Sequence, residues 1–246
     1  MISLLYSDII YRPILNLLIF FYNILPGHDM GVVIIVITLI IRLILAPSMQ
    51  KSLKGQRAMN ELQPKLNEIR EKYKNDKEAQ AKATMQLYKD QKINPLASCL
   101  PVLIQLPILI GLYQALRLAL GHGDIAGLYS YIHKPTSISP YFLHLVDLSR
   151  TAYNNGHWYI LALIFGFLAG AAQFWQSKMM LPKTANQDPT ARVMAMQTTY
   201  VLPLLSVFIS LRLPAGLPLY WIITTLFAVG QQYYIMRQAQ PQAENT

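Results

Sequence analysis

The sequence predicts an all-α polytopic membrane protein, with five transmembrane helices around a hydrophilic groove, a cytoplasmic helical hairpin and an outer interfacial helix. Three observations carry that reading. Of the 246 residues, 53% are hydrophobic and only 13% charged, outside the usual range of soluble domains. Long apolar runs recur at about 31 to 48, 95 to 117, 158 to 180, 194 to 212 and 217 to 236. Runs of this kind in lipid are helical, because a helix satisfies its own backbone. The net charge of +9 is unevenly placed, with eleven Lys or Arg between Lys51 and Lys92 but only Lys134 and Arg150 between Gly121 and Gly156. The positive-inside rule puts the first of these stretches in the cytoplasm and the second outside. Lys178, Lys183, Arg192 and Arg237 then also fall inside, so the N-terminus is expected outside and the C-terminus in the cytoplasm.

Residues 1-30 form the expected outer interfacial segment. Pro13 and Pro26-Gly27 leave an apolar run from Ile14 to Leu25 that is too short to span. Asn16 and Asn23 are seven apart and share a face, and Phe20, Phe21 and Tyr22 suit an interface. A signal-peptide reading is weakened by the lack of positive charge before Arg12. Residues 31-50 and 93-237 make the expected five-helix core, and Pro47 marks an expected irregularity at the end of the first span.

Residues 51-92 read as the hairpin. Met59, Leu62, Leu66, Ile69 and Tyr73 step by three or four residues, which is one stripe of an amphipathic helix following Leu53. Asn75 with Glu78 resembles a capping box that starts a second helix, with Ala81, Met85 and Tyr88 on one face. The hairpin also carries six acidic residues and no aromatic platform, so nucleic-acid recognition is not expected. Asn94-Pro95 is a helix start, and Pro101 and Pro107 bend the span that follows, opening space beside Gln105.

The stretch from Gly121 to Gly156 reads as irregular and resting on the membrane. His122, His133 and His144 recur every eleven residues, but Pro135 and Pro140 break the helix that would align them, so no metal site is expected. Trp158-Tyr159 and Trp175 bracket the third span, and Gly166-x-x-x-Gly170 with Ala169 and Ala171 offers a close-packing face. Arg212 to Gly216 is a tight outer turn, and residues 238-246 form a short polar tail. Cys99 is the one cysteine, which excludes an intrachain disulfide. Leu96-Ala97-Ser98-Cys99 looks like a lipidation box, but a charged hairpin stands where a signal peptide belongs.

Chemistry concentrates at Arg42, the single charge in the run from Gly31 to Ala46. An arginine near the centre of a membrane helix costs about 2.5 to 3.5 kcal/mol on insertion scales, so it needs water, a counter-ion or polar side chains. Snorkelling to the headgroups near Lys51 is one way to satisfy it. The other long apolar segments hold no Asp or Glu, but they do hold Gln105, Gln173, Thr224, Thr225 and Gln231. These residues can line a wet cavity facing Arg42, although Gln105 also suits helix-to-helix glue. No nucleotide motif, metal cluster or nucleophile constellation is present, so neither a cofactor nor an enzymatic reaction is expected.

Several stretches resemble the YidC-type membrane protein insertases. They are Pro214-Ala215-Gly216-Leu217-Pro218-Leu219-Tyr220-Trp221 with Gln231-Gln232, Leu62-Gln63-Pro64-Lys65-Leu66 with Glu68-Ile69-Arg70, and Asn94-Pro95 with Cys99-Leu100-Pro101. The resemblance runs in order from about Tyr22 to Tyr234. Leu213 departs from the family's usual Phe, Thr224 and Thr225 from a common Asn, and Ala97-Ser98 from a frequent Gly. The resemblance implies a bacterial cytoplasmic (inner) membrane protein that moves nascent membrane proteins into the bilayer without nucleotide hydrolysis. It places a groove arginine on Arg42, with Gln105 and Trp221 beside it, in a groove open to the cytoplasm and to lipid. It implies nascent membrane proteins, the ribosome and targeting machinery, a Sec-type translocon and membrane lipids as partners. No large extracytoplasmic domain precedes Gly31 and no long basic tail follows, so the tail-dependent mode of holding ribosomes is not expected. A small-solute transporter or channel is the alternative, and it would call for an internal repeat that the sequence lacks.

Overall fold

A computed structural model describes residues 6–94, 100–121, 125–154, 156–181 and 189–238. The readings made on Pro95, Cys99, His122, Lys183 and most of the C-terminal tail lie outside the described residues. The protein is mostly helical. A π-helical turn (Ser7–Tyr11) leads into α1 (Arg12–Ile24), followed by α2 (Met30–Glu61), α3 (Gln63–Lys72), α4 (Lys77–Asp90) and α5 (Leu100–Leu120). After an irregular stretch come α6 (Ile160–Met179), α7 (Pro189–Met196), a π-helical turn (Gln197–Val201), α8 (Leu202–Arg212) and α9 (Gly216–Gln238). Three helices, α2, α5 and α6, are long and apolar enough to cross a membrane.

Helix α2 has 32 residues and contains Pro47, giving a length of about 48 Å at ~1.5 Å per residue. The irregularity expected at Pro47 does not stop it, since one missing donor removes a single bond from a long ladder. The break comes instead at Leu62, two residues before Pro64 in the first turn of α3, where a proline lacks no needed donor. The apolar stripe therefore spans two helices, with Leu62 and Leu66 both buried at the bend. Helix α4 is capped by Asp76 rather than Asn75. Its Oδ1 accepts from the amides of Glu78 at 3.1 Å and Ala79 at 2.9 Å, and a carboxylate there also meets the positive end of the helix dipole.

The all-α expectation misses two short antiparallel ribbons between α5 and α6. Strand β1 (Tyr141–Phe142) pairs with β2 (Val146–Asp147), and β3 (Tyr153–Asn154) with β4 (His157–Trp158). Strands of two residues are too short to leave an alternating pattern. The first ribbon turns through Leu143 and His144, both at positive φ, and the second through Gly156.

This ribbon end of the molecule is tied together by side chains of α1 and α2. Asn16 donates to the carbonyl of Gly127 at 3.1 Å and accepts from the amide of Tyr129 at 2.7 Å, and Asn23 donates to the carbonyl of His133 at 2.7 Å. The two asparagines do share a face, and that face carries the loop. The Tyr22 hydroxyl accepts from the amide of Ser139 at 2.7 Å. Asp29 caps α2 through Val32 at 3.0 Å and holds the first ribbon through the amide of Leu143 at 2.5 Å. Gly31 lets this ribbon lie close, since a Cβ there would overlap the Phe142 ring.

The buried core sits at the same end. Leu15, Leu18 and Ile19 of α1, Ile34 of α2, Leu116 of α5 and Leu217 of α9 pack in one cluster. No residue of α2 between Arg42 and Met49 is buried, and the described burial of α5 begins at Gly111. Packing thus thins from the ribbons towards the helical hairpin.

In lipid, helix contacts depend on close approach rather than on hydrophobic expulsion from water. Gly166 and Gly170 of α6 supply it against α8, where a Cβ on Gly170 would stand 2.2 Å from Val207 Cγ2 and 3.3 Å from the Pro203 carbonyl oxygen. Ala169 is buried on the same side, whereas Ala171 is exposed and is not part of the face. Gly170→Val is expected to lower stability by about 1–3 kcal/mol through overpacking. Ala171→Val is expected to change little, and thermal unfolding in detergent distinguishes the two.

Candidate functional site

The outward side of the middle of α2 is apolar and open, with Leu43 62% and Ile44 70% exposed, while Arg42 is only 8% exposed. Arg42 continues the buried face of Thr38 and Ile34, one and two turns earlier, and so points into the bundle. It lies twelve residues from the start of α2 and nine from Lys51, about 18 Å and 14 Å along a helix. The guanidinium is too deep among the helices to be satisfied at a distant surface.

Its partners are neutral. Nη2 donates to Gln105 Oε1 of α5 at 2.8 Å, and Nε donates to Thr224 Oγ1 of α9 at 3.3 Å. Gln105 in turn donates through Nε2 to the hydroxyl of Tyr220, one turn before Thr224. No carboxylate lies within salt-bridge distance of Arg42 among the described residues. Three helices therefore meet at a cation that no described carboxylate neutralises. A guanidinium has five N–H donors, and the two described bonds leave capacity for water or an incoming acceptor. Two cavities, of about 410 and 310 Å³, lie away from this cluster.

The other predicted residues distribute along α9 and α6. Trp221 Nε1 donates to Gln173 Oε1 at 3.4 Å, forming a second polar link between these helices. Thr225 is buried, with no described side-chain hydrogen bond, one turn beyond Trp221. Gln231 lies two turns beyond Thr224, where its Nε2 is buried without a partner, and the same is true of Oε1 of the neighbouring Gln232. The structure thus brings Arg42, Gln105 and Thr224 into contact, pairs Gln173 with Trp221, and leaves Thr225 and Gln231 outside both groups. Tyr220 is the member that sequence reasoning missed. Its spacing of four from Thr224 was the available signal, because it places the hydroxyl on the same face.

The profile of the 60Kd inner membrane protein family matches residues 20–243. The chain belongs to the 60Kd inner membrane protein family. It is 38% identical over 228 residues to a protein of Syntrophus aciditrophicus named membrane protein insertase YidC, covering 92% of this chain and 36% of that one. It is 37% identical over 234 residues to the protein of the same name from Lawsonia intracellularis, covering 94% and 39%. The chain spans little more than a third of the length of these relatives. Family membership and the three long apolar helices make it a membrane-embedded protein.

The junction has a measurable energetic signature. Gln105→Leu leaves Nη2 of Arg42 without its acceptor and is expected to cost about 1–3 kcal/mol of stability. Replacing both partners, as in Arg42→Met with Gln105→Leu, removes the buried charge and is expected to recover most of that loss. A double-mutant cycle by thermal unfolding in detergent checks the coupling.

Proposed function

We propose that this chain is a membrane protein insertase, and that Arg42 is the centre of a hydrophilic groove through which polar segments of nascent membrane proteins enter the bilayer. The observation that carries the reading is an arginine in the middle of an apolar helix, held by Gln105 and Thr224 and by no acid. The relatives named as insertases support it. The alternative of a small-solute transporter has no observation in its favour.

The proposed arrangement has five spans: α2, α5, α6, the segment from α7 to α8, and α9, with α1 at the outer interface and α3 and α4 as the cytoplasmic hairpin. The charge asymmetry sets the ribbon end outside and the C-terminus inside. Tight packing at the ribbon end then closes the groove towards the outside, and the thinner packing below Arg42 opens it to the cytoplasm and to lipid. Trp221 and Gln173 extend the polar wall, and Thr225 and Gln231 continue it along α9. On the same topology the division is 1-30, 31-50 with 93-237, 51-92 and 238-246, although α2 itself runs on into the hairpin.

The mechanism is passive. A hydrated cation partway into the bilayer shortens the distance over which a polar segment must leave water, and it attracts acidic groups in that segment. The substrate's own apolar helix, on leaving water for lipid, supplies the free energy at about 25 cal/mol per Å² of apolar surface, aided by the membrane potential. The hairpin is placed to meet the ribosome and targeting machinery, and a Sec-type translocon can act beside the open side of the groove. The bilayer in question is the bacterial inner membrane.

Arg42→Ala is expected to impair insertion of substrates with acidic leading segments at least tenfold more than of uncharged ones, which is about 1.4 kcal/mol of selective attraction. Equal loss for both classes removes the electrostatic role. Arg42→Lys retains most activity if charge alone acts, whereas a full loss assigns the role to the guanidinium fork. Photocrosslinkers at Gln105 and Trp221 should label a stalled nascent membrane protein, and a scaffold or solute carrier would leave them unlabelled.

A further inference from the structure

The cavity of about 410 Å³ lies far from Arg42, at the ribbon end, where the first ribbon meets the start of α6. Its lining includes Tyr141, Asp147, Arg150, Trp158, Ile160 and Leu161. Asp147 and Arg150 are an ion pair, with Arg150 Nε donating to Asp147 Oδ2 at 2.8 Å. The guanidinium also stacks on the Tyr159 ring, 4.3 Å from its centroid, and the Asp147 Oδ1 is held by the amide and hydroxyl of Ser149. Fixed positive and negative groups thus stand side by side in one opening. Each keeps exposure, 45% for the Arg150 side chain and 17% for that of Asp147.

The remaining wall suits a lipid. Trp158 and Ile160 are 64% and 68% exposed at the end of a helix apolar enough to span. Tyr159 gives that helix no side-chain cap, so the first-turn amides of α6 add donors beside Arg150.

We propose that this cavity binds the headgroup of an ethanolamine phospholipid from the outer leaflet. Arg150 and the first-turn amides of α6 take the phosphate. Asp147 takes the ammonium, with the faces of Tyr141 and Trp158 beside it, and one acyl chain follows Ile160 and Leu161 down α6. A zwitterion matches both charges of the cavity at once. An anionic glycerol headgroup leaves Asp147 unmatched, and a choline headgroup has no N–H to give it. The bound lipid would join the ribbon to α6 and so brace the closed end. The outer-leaflet assignment rests on the topology proposed above.

The test is native mass spectrometry of the purified chain with equimolar phosphatidylethanolamine, phosphatidylcholine and phosphatidylglycerol of identical acyl chains. Phosphatidylethanolamine is expected to be retained about tenfold over either competitor. Asp147→Asn should abolish the preference over phosphatidylglycerol, and Arg150→Gln should lower retention of all three. Leu161→Trp fills the cavity while leaving the ion pair intact and should also lower retention, which covers the case in which the charge variants fail to fold. Equal retention of the three lipids by the unaltered chain overturns the proposal, as does a preference that survives both Arg150→Gln and Leu161→Trp. Tyr153→Cys in a Cys99→Ser background should react with an impermeant thiol reagent from outside. Reaction only from the cytoplasmic side overturns the leaflet assignment even if the lipid is retained. None of these measurements reads insertion, so a failure of the Arg42 groove would be seen separately.

Discussion

A positive charge held deep in an apolar helix by neutral groups alone is the constraint on which the other features depend. Arg42 meets an amide and a hydroxyl, and behind the amide stands a phenol. Hydrogen bonds of this kind orient a guanidinium without cancelling its charge. Burying a compensated ion pair would serve stability at least as well, and an apolar side chain would often serve it better. Retaining an unneutralised cation is costly for the fold and useful for attracting anionic groups. The polar residues on α5 and α9 follow from that requirement, since each would be unfavourable against lipid.

The second feature is the difference between the two ends of the bundle. Asn16, Asn23, Tyr22 and Asp29 spend their polar atoms on the backbone of the segment between α5 and α6. The backbone amides of Ala215 and Gly216 donate to the carbonyls of Arg150 and Leu148, bringing the turn before α9 into the same seal. Below Arg42 the described ties between helices are fewer, with Asn60 donating to the carbonyl of Met180 at 3.0 Å, and α2 continues past Pro47 as a long rod towards the hairpin. The proposed entry from one side needs this combination, tight packing above the buried charge and looser packing below it.

Much of this was legible in the residues and some was not. The depth of Arg42, the absence of acids in the other apolar runs and the glutamine between Pro101 and Pro107 are local facts of composition and spacing. They led to Gln105 and Thr224. The ribbons were not legible, because two-residue strands carry no period and depend on contacts with Asp29 and Gly31 far along the chain. Pro47 and Pro64 look alike in sequence, yet only the second coincides with a break between helices. Pro47 lies inside a helix, whereas Pro64 lies in the first turn of one, where its missing N–H has no partner to lose. Tyr220 was overlooked since a tyrosine in an apolar run reads as an interfacial aromatic. Ala171 was assigned to the glycine face from proximity, whereas helical periodicity puts Ala169 there and turns Ala171 about 100° away from Gly170.

The central claim is that the neighbourhood of Arg42 is wet from one side. The most direct measurement is the reactivity of Thr224→Cys, in a Cys99→Ser background, towards a charged, membrane-impermeant thiol reagent applied separately to each face of the membrane. A thiol beside an unneutralised guanidinium is biased towards the reactive thiolate. The account predicts modification from the cytoplasmic face and none from outside. A thiol that stays unmodified from both faces, while remaining reactive after solubilisation and unfolding, would mean a dry junction and would contradict it.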